Sequence, residues 1–323
     1  ERTIVSNETN EYLRGRGITT YSATGVGEKV HAEGKRLYEY ILTFNTNLAR
    51  EEEAPALDII SMTVSRMLRS RRQELKSATL EKELEKARMI QQSILPEPEL
   101  RFHHYDIYGV SLPDRSVGGD FFDYVISPEK DRVDIVIGDA ATKGIPAAVQ
   151  ALYASGALRM GAMHNIKVST LVRNLNALVH QAFPDESFLT LVLAELTDDS
   201  QGLCVYVNAG HTRPLLCRGR SGKVEVLNPT GTIVGPFADQ KFRRESVLIG
   251  KDDILLLSTD GVTEAMNSSR REYSEKRLMK RLAALRRKTA KEIALGILDD
   301  VARFSSSGKY NDDRTLVVIK RAG

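Results

Sequence analysis

Four aspartates occur where a strand end or a Gly-rich turn would bring a carboxylate to solvent: Asp120 in VGGDFFD, Asp139 in VIGDAATKG, Asp260 in LLLSTDGVTEA and Asp312 in NDDRTLVVI. If the neighbouring strands lie side by side, these carboxylates converge on one rim, where they repel unless cations neutralise them. Oxygen-only ligands select hard ions such as Mg²⁺ or Mn²⁺ over zinc. Two such ions lower the pKa of a water between them and clamp phosphoryl oxygens, so a hydrolytic site of this kind needs no side-chain nucleophile. Taken singly, each Asp reads more simply as a turn residue whose side chain bonds nearby amides.

The elements that must position these groups are legible as alternation and turns. Apolar alternation predicts strands at 107–112, 121–126, 133–138, 189–196, 203–207, 214–217, 224–227, 242–248, 254–258 and 315–319. Connections such as 127–131, 198–202 and 219–222 are too short for crossover helices, so the sheets should be largely antiparallel. Helices are expected from Pro146 to about Met163, over 170–183 with Ser169 as a cap, over 274–285, and over 290–304. The fold class is α+β, with helices packed on sheets.

Before Glu99 the texture differs. Residues 1–54 mix Gly, Thr and charges around one strand-like run at 37–44, and we read them as the C-terminal remnant of a sensory, GAF-like module. Leu57, Ile60, Val64 and Met67, then Leu80, Leu84, Ala87, Gln91 and Ile94, follow coiled-coil spacing and predict a long linker helix over 55–95, stopped by Pro96 and Pro98. The step from Met67 to Leu80 is one residue short of two heptads, so the two apolar seams are out of phase. Residues 96–323 then form the remaining domain.

Composition excludes several classes. Lys and Arg number 46 against 43 Asp and Glu, a net charge of +3 too even for the basic footprint of a nucleic-acid binder. The two cysteines, Cys204 and Cys217, provide neither a disulfide framework nor a Cys-rich zinc site; they read as small buried residues in a reducing, cytoplasmic setting. The most apolar stretch, 147–163, is interrupted by Gln150, Ser155 and Arg159, so no membrane span or membrane contact is expected. The chain opens on Glu1 without an initiator Met and reads as a segment of a longer protein.

Taken in order, the four motifs resemble the SpoIIE-like branch of the metal-dependent serine/threonine protein phosphatases (PPM). The resemblance is carried by ARMIQQSILP, VGGDFFD, GDAATKGIPAA, LTLVLAELTDD, VNAGHTRPLL, STDGVTEA and DDRTLVVI, and covers about residues 87–321. It implies an α-β-β-α sandwich of two mainly antiparallel sheets flanked by helices, a centre of two Mn²⁺ or Mg²⁺ ions, and hydrolysis of phosphoserine or phosphothreonine on a protein. Carried over by position, Asp120, Asp139, Asp260 and Asp312 are metal ligands, Ala140 offers its backbone carbonyl, and Asp123 and Asp313 support the ligands from behind. The implied substrate is a phosphorylated STAS-type anti-anti-sigma protein, and the implied assembly is a homodimer through the linker helix.

The turn after Asp139 departs from the family's Gly-His-Gly-like pattern. Lys143 stands there, either to approach the substrate phosphate or to raise the local potential and weaken metal binding. Arg115, five residues before Asp120, is a second candidate phosphate contact, suited by its forked guanidinium. His211 in NAGH reads as a structural turn residue. The competing reading is a phosphatase-like dimeric scaffold with weak or no catalysis, against which the four aspartates stand.

Overall fold

The computed structural model describes residues 2–7, 9–17, 19–32, 34–45, 54–114, 117–184, 186–305 and 312–322, in two compact units, Glu1–Glu83 and Leu84–Gly323.

In the first unit β1 (Thr3–Asn7), β2 (Thr20–Ala32) and β3 (Lys35–Asn45) form an antiparallel sheet, with the short α1 (Glu11–Gly15) between β1 and β2. Only part of β3 is expected from sequence, because Gly25 and Gly27 interrupt the alternation that would mark β2. These glycines have a packing reason: Ser61 donates to the carbonyl of Gly25, and the Gly27 N–H donates to Ser65 Oγ at 2.9 Å. Both serines belong to α2 (Ala54–Ile94), the expected long helix, which crosses the out-of-phase step without a break. Its buried residues are Leu57, Ser61 and Ser65; of the apolar seam only Leu57 is buried, while Ile60, Met67 and Leu80 are exposed.

The second unit has four layers. A six-stranded sheet has the order β11 (Val224–Val226), β10 (Leu215–Cys217), β13 (Ile254–Ser258), β14 (Arg314–Arg321), β5 (Tyr105–Leu112), β4 (Glu99–Phe102). A five-stranded sheet has the order β12 (Glu245–Leu248), β9 (Leu203–Ala209), β8 (Leu189–Thr197), β7 (Arg132–Ala140), β6 (Phe121–Ile126). Every ladder is antiparallel, as the short connections require. The α-β-β-α sandwich is the expected one.

Period-two alternation explains why these strands read as nearly unbroken apolar runs: each sheet is covered on both faces. Ile135, Ile137, Leu255, Leu257, Val317 and Ile319 point into the core between the sheets. Their neighbours Leu256, Leu316 and Val318 point the other way, against α6 (Glu275–Leu285) and α7 (Ala290–Phe304). On the far side Val136, Leu191 and Leu193 meet α3 (Ile145–Met163) and α4 (Val168–Ala182). The capping box of Thr289 and Glu292 starts α7 where the apolar spacing places it. Ser169 does not cap α4; the helix starts two residues earlier than expected, after Lys167, with no side-chain cap.

Candidate metal centre

The two sheets bring the strand-end carboxylates to one rim. Asp139 is the last residue but one of β7; Asp260 opens α5 (Asp260–Thr263) one residue after β13; Asp312 precedes β14, the neighbour of β13. Asp139, Asp260 and Asp312 line one cavity of about 280 Å³ together with Ala140, Lys143, Thr190 and His211. Three of the four expected carboxylates and the expected backbone carbonyl donor therefore share one space.

Burial pushes the Asp139 carboxyl up to about 7, and the charges of Asp260 and Asp312 push the same way, while Lys143 opposes them. Asp260 is raised for the same reasons, burial first and then Asp312. Carboxylates held above their ordinary range by burial and mutual repulsion are groups that a divalent cation would relieve. The three carboxylates and the Ala140 carbonyl offer oxygen donors, the chemistry of a hard ion. The residues present thus fit Mn²⁺ or Mg²⁺, although among the described residues no three His, Cys, Asp or Glu side chains close into a metal cage.

Asp120 is not in the lining of this cavity but borders another, with Gln91 and Gly118. It is buried, its Oδ2 accepts the Thr259 hydroxyl at 2.7 Å, and Thr259 Oγ1 in turn accepts the backbone N–H of Thr315 at 3.0 Å. Burial and the nearby charge of Asp139 hold Asp120 well above the usual carboxylate range. Thr259, in the STD motif, ties Asp120 across the two sheets, a role that no single-sequence spacing signals.

Asp313 supports the rim from the backbone side. Its carboxylate accepts the N–H groups of Asp114 at 2.8 Å and Gly119 at 2.9 Å, holding the loop that delivers Asp120. Asp123, the other residue expected to support the ligands, has its side-chain partners on α3. It is buried on the helix-facing side of β6, where Ser155 Oγ donates to it at 3.1 Å and Arg159 Nη2 at 2.9 Å. Strand alternation accounts for this placement: Asp123 shares the helix-facing side of β6 with Phe121 and Val125, whereas Phe122 and Tyr124 face the other sheet.

Lys143 Nζ stands 2.9 Å from Asp312 Oδ2. Arg115 lies outside the described residues. His211 is buried, its Nδ1 2.8 Å from Thr190 Oγ1, and burial lowers its pKa to about 4, so the imidazole is neutral at pH 7. Both His211 and Thr190 line the cavity, and Thr190 is the cross-strand partner of Asp139. A second contact absent from the motif reading is Gln91, in the last turns of α2: its amide donates to the Gly118 carbonyl at 2.7 Å and accepts the Gly118 N–H at 3.2 Å. Cys204 and Cys217 are buried, free, and on different sheets.

The fold and the rim define a PP2C-type phosphatase domain. Residues 129–322 match the family described as Stage II sporulation protein E (SpoIIE), and the chain belongs to that family. It is 28% identical over 260 residues to the phosphoserine phosphatase RsbU of Bacillus subtilis, covering 79% of this chain and 73% of RsbU. It is 29% identical over 277 residues to the protein IcfG of Synechocystis, covering 77% of this chain and 43% of IcfG. Among solved structures, the SiaA-PP2C domain of Pseudomonas aeruginosa shares the fold with a TM-score of 0.67 at 19% identity, over 76% of this chain and 98% of that domain. The RsbU and RsbW domains of Rv1364c from Mycobacterium tuberculosis match at 26% identity and a TM-score of 0.58, over 70% of this chain and 60% of that one.

Proposed function

We propose that the chain is a metal-dependent protein serine/threonine phosphatase acting on a phosphorylated STAS-type protein. The observation that carries this reading is the single cavity lined by Asp139, Asp260, Asp312 and Ala140, with the Asp139 carboxyl pushed up to about 7. The phosphoserine phosphatase RsbU, which the chain resembles, supports hydrolysis of a phosphoserine.

Asp139, Asp260, Asp312 and the Ala140 carbonyl are the groups that would hold two Mn²⁺ or Mg²⁺ ions, with Asp120 near Asp139. When bound, such ions would neutralise the carboxylates, polarise the phosphoryl oxygens and acidify water for attack on phosphorus. Thr259 orients Asp120, and Asp313 fixes the loop that carries it. The neutral His211 keeps Thr190 in place beside Asp139 without adding charge. Arg115 would grip the phosphate through its fork, and Arg115→Lys should then raise KM.

The decisive measurement is Mn²⁺-dependent release of phosphate from phosphorylated STAS proteins, with an aryl phosphate as a generic substrate. Turnover of the aryl phosphate alone would leave the enzyme and remove the STAS assignment. No turnover of either would favour the dimeric scaffold.

Regulation through the linker helix, with dimerisation along it in the cytoplasm and residues 1–54 as a sensory remnant, completes the proposal. The contacts that support it lie at the end of α2, where Gln91 grips Gly118 and Arg159 donates to the Ile94 carbonyl at 3.1 Å. One residue inserted between Ser77 and Ala78 would restore heptad phase, and should tighten the dimer and shift turnover towards one extreme. Among the described residues no helix is long and apolar enough to cross a membrane.

A further inference from the structure

Lys143 occupies a turn between β7 and α3 whose next residue, Gly144, has φ of 77°. Its ammonium lies 2.9 Å from Asp312 Oδ2, and both side chains are about half exposed. The residue borders two adjoining cavities, one with Asp139, Asp260 and Asp312, the other with Asp114, Asp139, Asp312 and Asp313. Its charge also acts on Asp139 and Asp260 in the direction opposite to their mutual repulsion. A monovalent cation supplied by the chain thus sits among carboxylates of the same rim, paired with one of the oxygens a divalent ion would need.

We infer that Lys143 is a built-in counter-cation of the Asp312 position: its ammonium neutralises the rim when no divalent ion is bound, and an ion binding at Asp312 must displace it. This inference rests on the metal-centre reading above and adds a control over metal loading to it. Two cations on one carboxylate repel, so the Lys143–Asp312 pair and metal at Asp312 oppose each other, and the opposition is reciprocal by linkage. Lys is suited to the role because its charge is compact and its stem has four rotatable carbons, so the ammonium can leave Asp312 without moving the backbone. Once displaced it remains tethered at the lip of the two cavities, where a phosphate dianion could receive it.

The test is calorimetric titration of the full chain with Mn²⁺, in the wild type and in Lys143→Met, Lys143→Gln, Lys143→Arg and Asp312→Asn, paired with thermal unfolding of each metal-free protein. Lys143→Met and Lys143→Gln should bind the weaker Mn²⁺ about tenfold more tightly, and should unfold at a lower temperature than the wild type without metal. Lys143→Arg, which keeps the charge, should retain wild-type affinity within about threefold, and Asp312→Asn should lose the weaker ion. Equal or weaker Mn²⁺ binding by both neutral variants, with Asp312→Asn still losing the ion, would overturn the counter-cation and leave the metal centre standing. No Mn²⁺ binding by any of the proteins would overturn the metal centre itself, and the inference with it.

Discussion

The carboxylate of Asp313 accepts the backbone N–H of Gly119 at 2.9 Å, although the two residues are 194 positions apart. Through this contact the residue just before β14 of the six-stranded sheet holds the loop that leads into β6 of the other sheet, and so sets where Asp120 stands. The adjacent Gly118 must lack a side chain, because a Cβ there would lie 2.1 Å from Asp313 Oδ2. Gly118→Ala should therefore cost on the order of 2 kcal/mol in urea unfolding and reduce Mn²⁺-dependent turnover. Wild-type stability and turnover in this variant would mean that the loop is not held as described.

Asp139→Asn and Asp260→Asn each remove one anionic oxygen donor from the cavity. Turnover should fall by more than about 100-fold, beyond the loss typical of outer partners of metal ligands, while the fold persists. Because burial and like charges raise both carboxyls, the neutral variants should be at least as stable as the wild type without metal at pH 7.5. Calorimetric unfolding and Mn²⁺-dependent hydrolysis on the same samples check both halves, and near-normal rates in either variant would remove that residue from the centre.

Asp123 is 1% exposed, and Arg159 is its charged partner on α3. Arg159→Met would strand that carboxylate and should destabilise the protein by about 2 to 3 kcal/mol, below the figure for a fully buried pair because Arg159 is partly exposed. Asp123→Asn should cost less, since Arg159 can reach water. Urea denaturation of the two variants should preserve that order; the reverse order would contradict it.

Asp134, on β7, is pushed up to about 7 by burial, which outweighs the pull of Arg132 3.5 Å away; Glu195, 3.6 Å from the same guanidinium, shares the Arg. The folded state holds this proton more tightly than the unfolded chain, so the contribution of Asp134 is present at low pH and is lost as pH rises from about 4 through about 7. Asp134→Asn should match the wild type near pH 4 and exceed its stability by on the order of 2 kcal/mol at pH 7.5. Urea unfolding at the two values measures the difference, and a variant that weakens as pH rises would reverse the assigned shift.

Local pattern was sufficient for much of this protein. Phe121–Ile126, Ile254–Ser258 and Ala290–Phe304 are readable to the residue, because alternation, a continuous apolar run and a capping box are short-range properties of the chain. The positions of Asp139, Asp260 and Asp312 at strand ends are readable for the same reason, and so is their oxygen-donor chemistry. The strand Glu99–Phe102 and most of Thr20–Ala32 are not, since ELRF is only four residues long and Gly25 and Gly27 break the alternation of the other; these strands form because neighbours supply hydrogen-bond partners and close packing. Only the packed sandwich joins Thr259 to Asp120, turns Asp123 to Arg159 and brings Lys143 to Asp312, 169 positions away. Such pairings depend on which strand ends meet when two sheets stack, a long-range consequence of burying both inner faces that no local run of residues encodes.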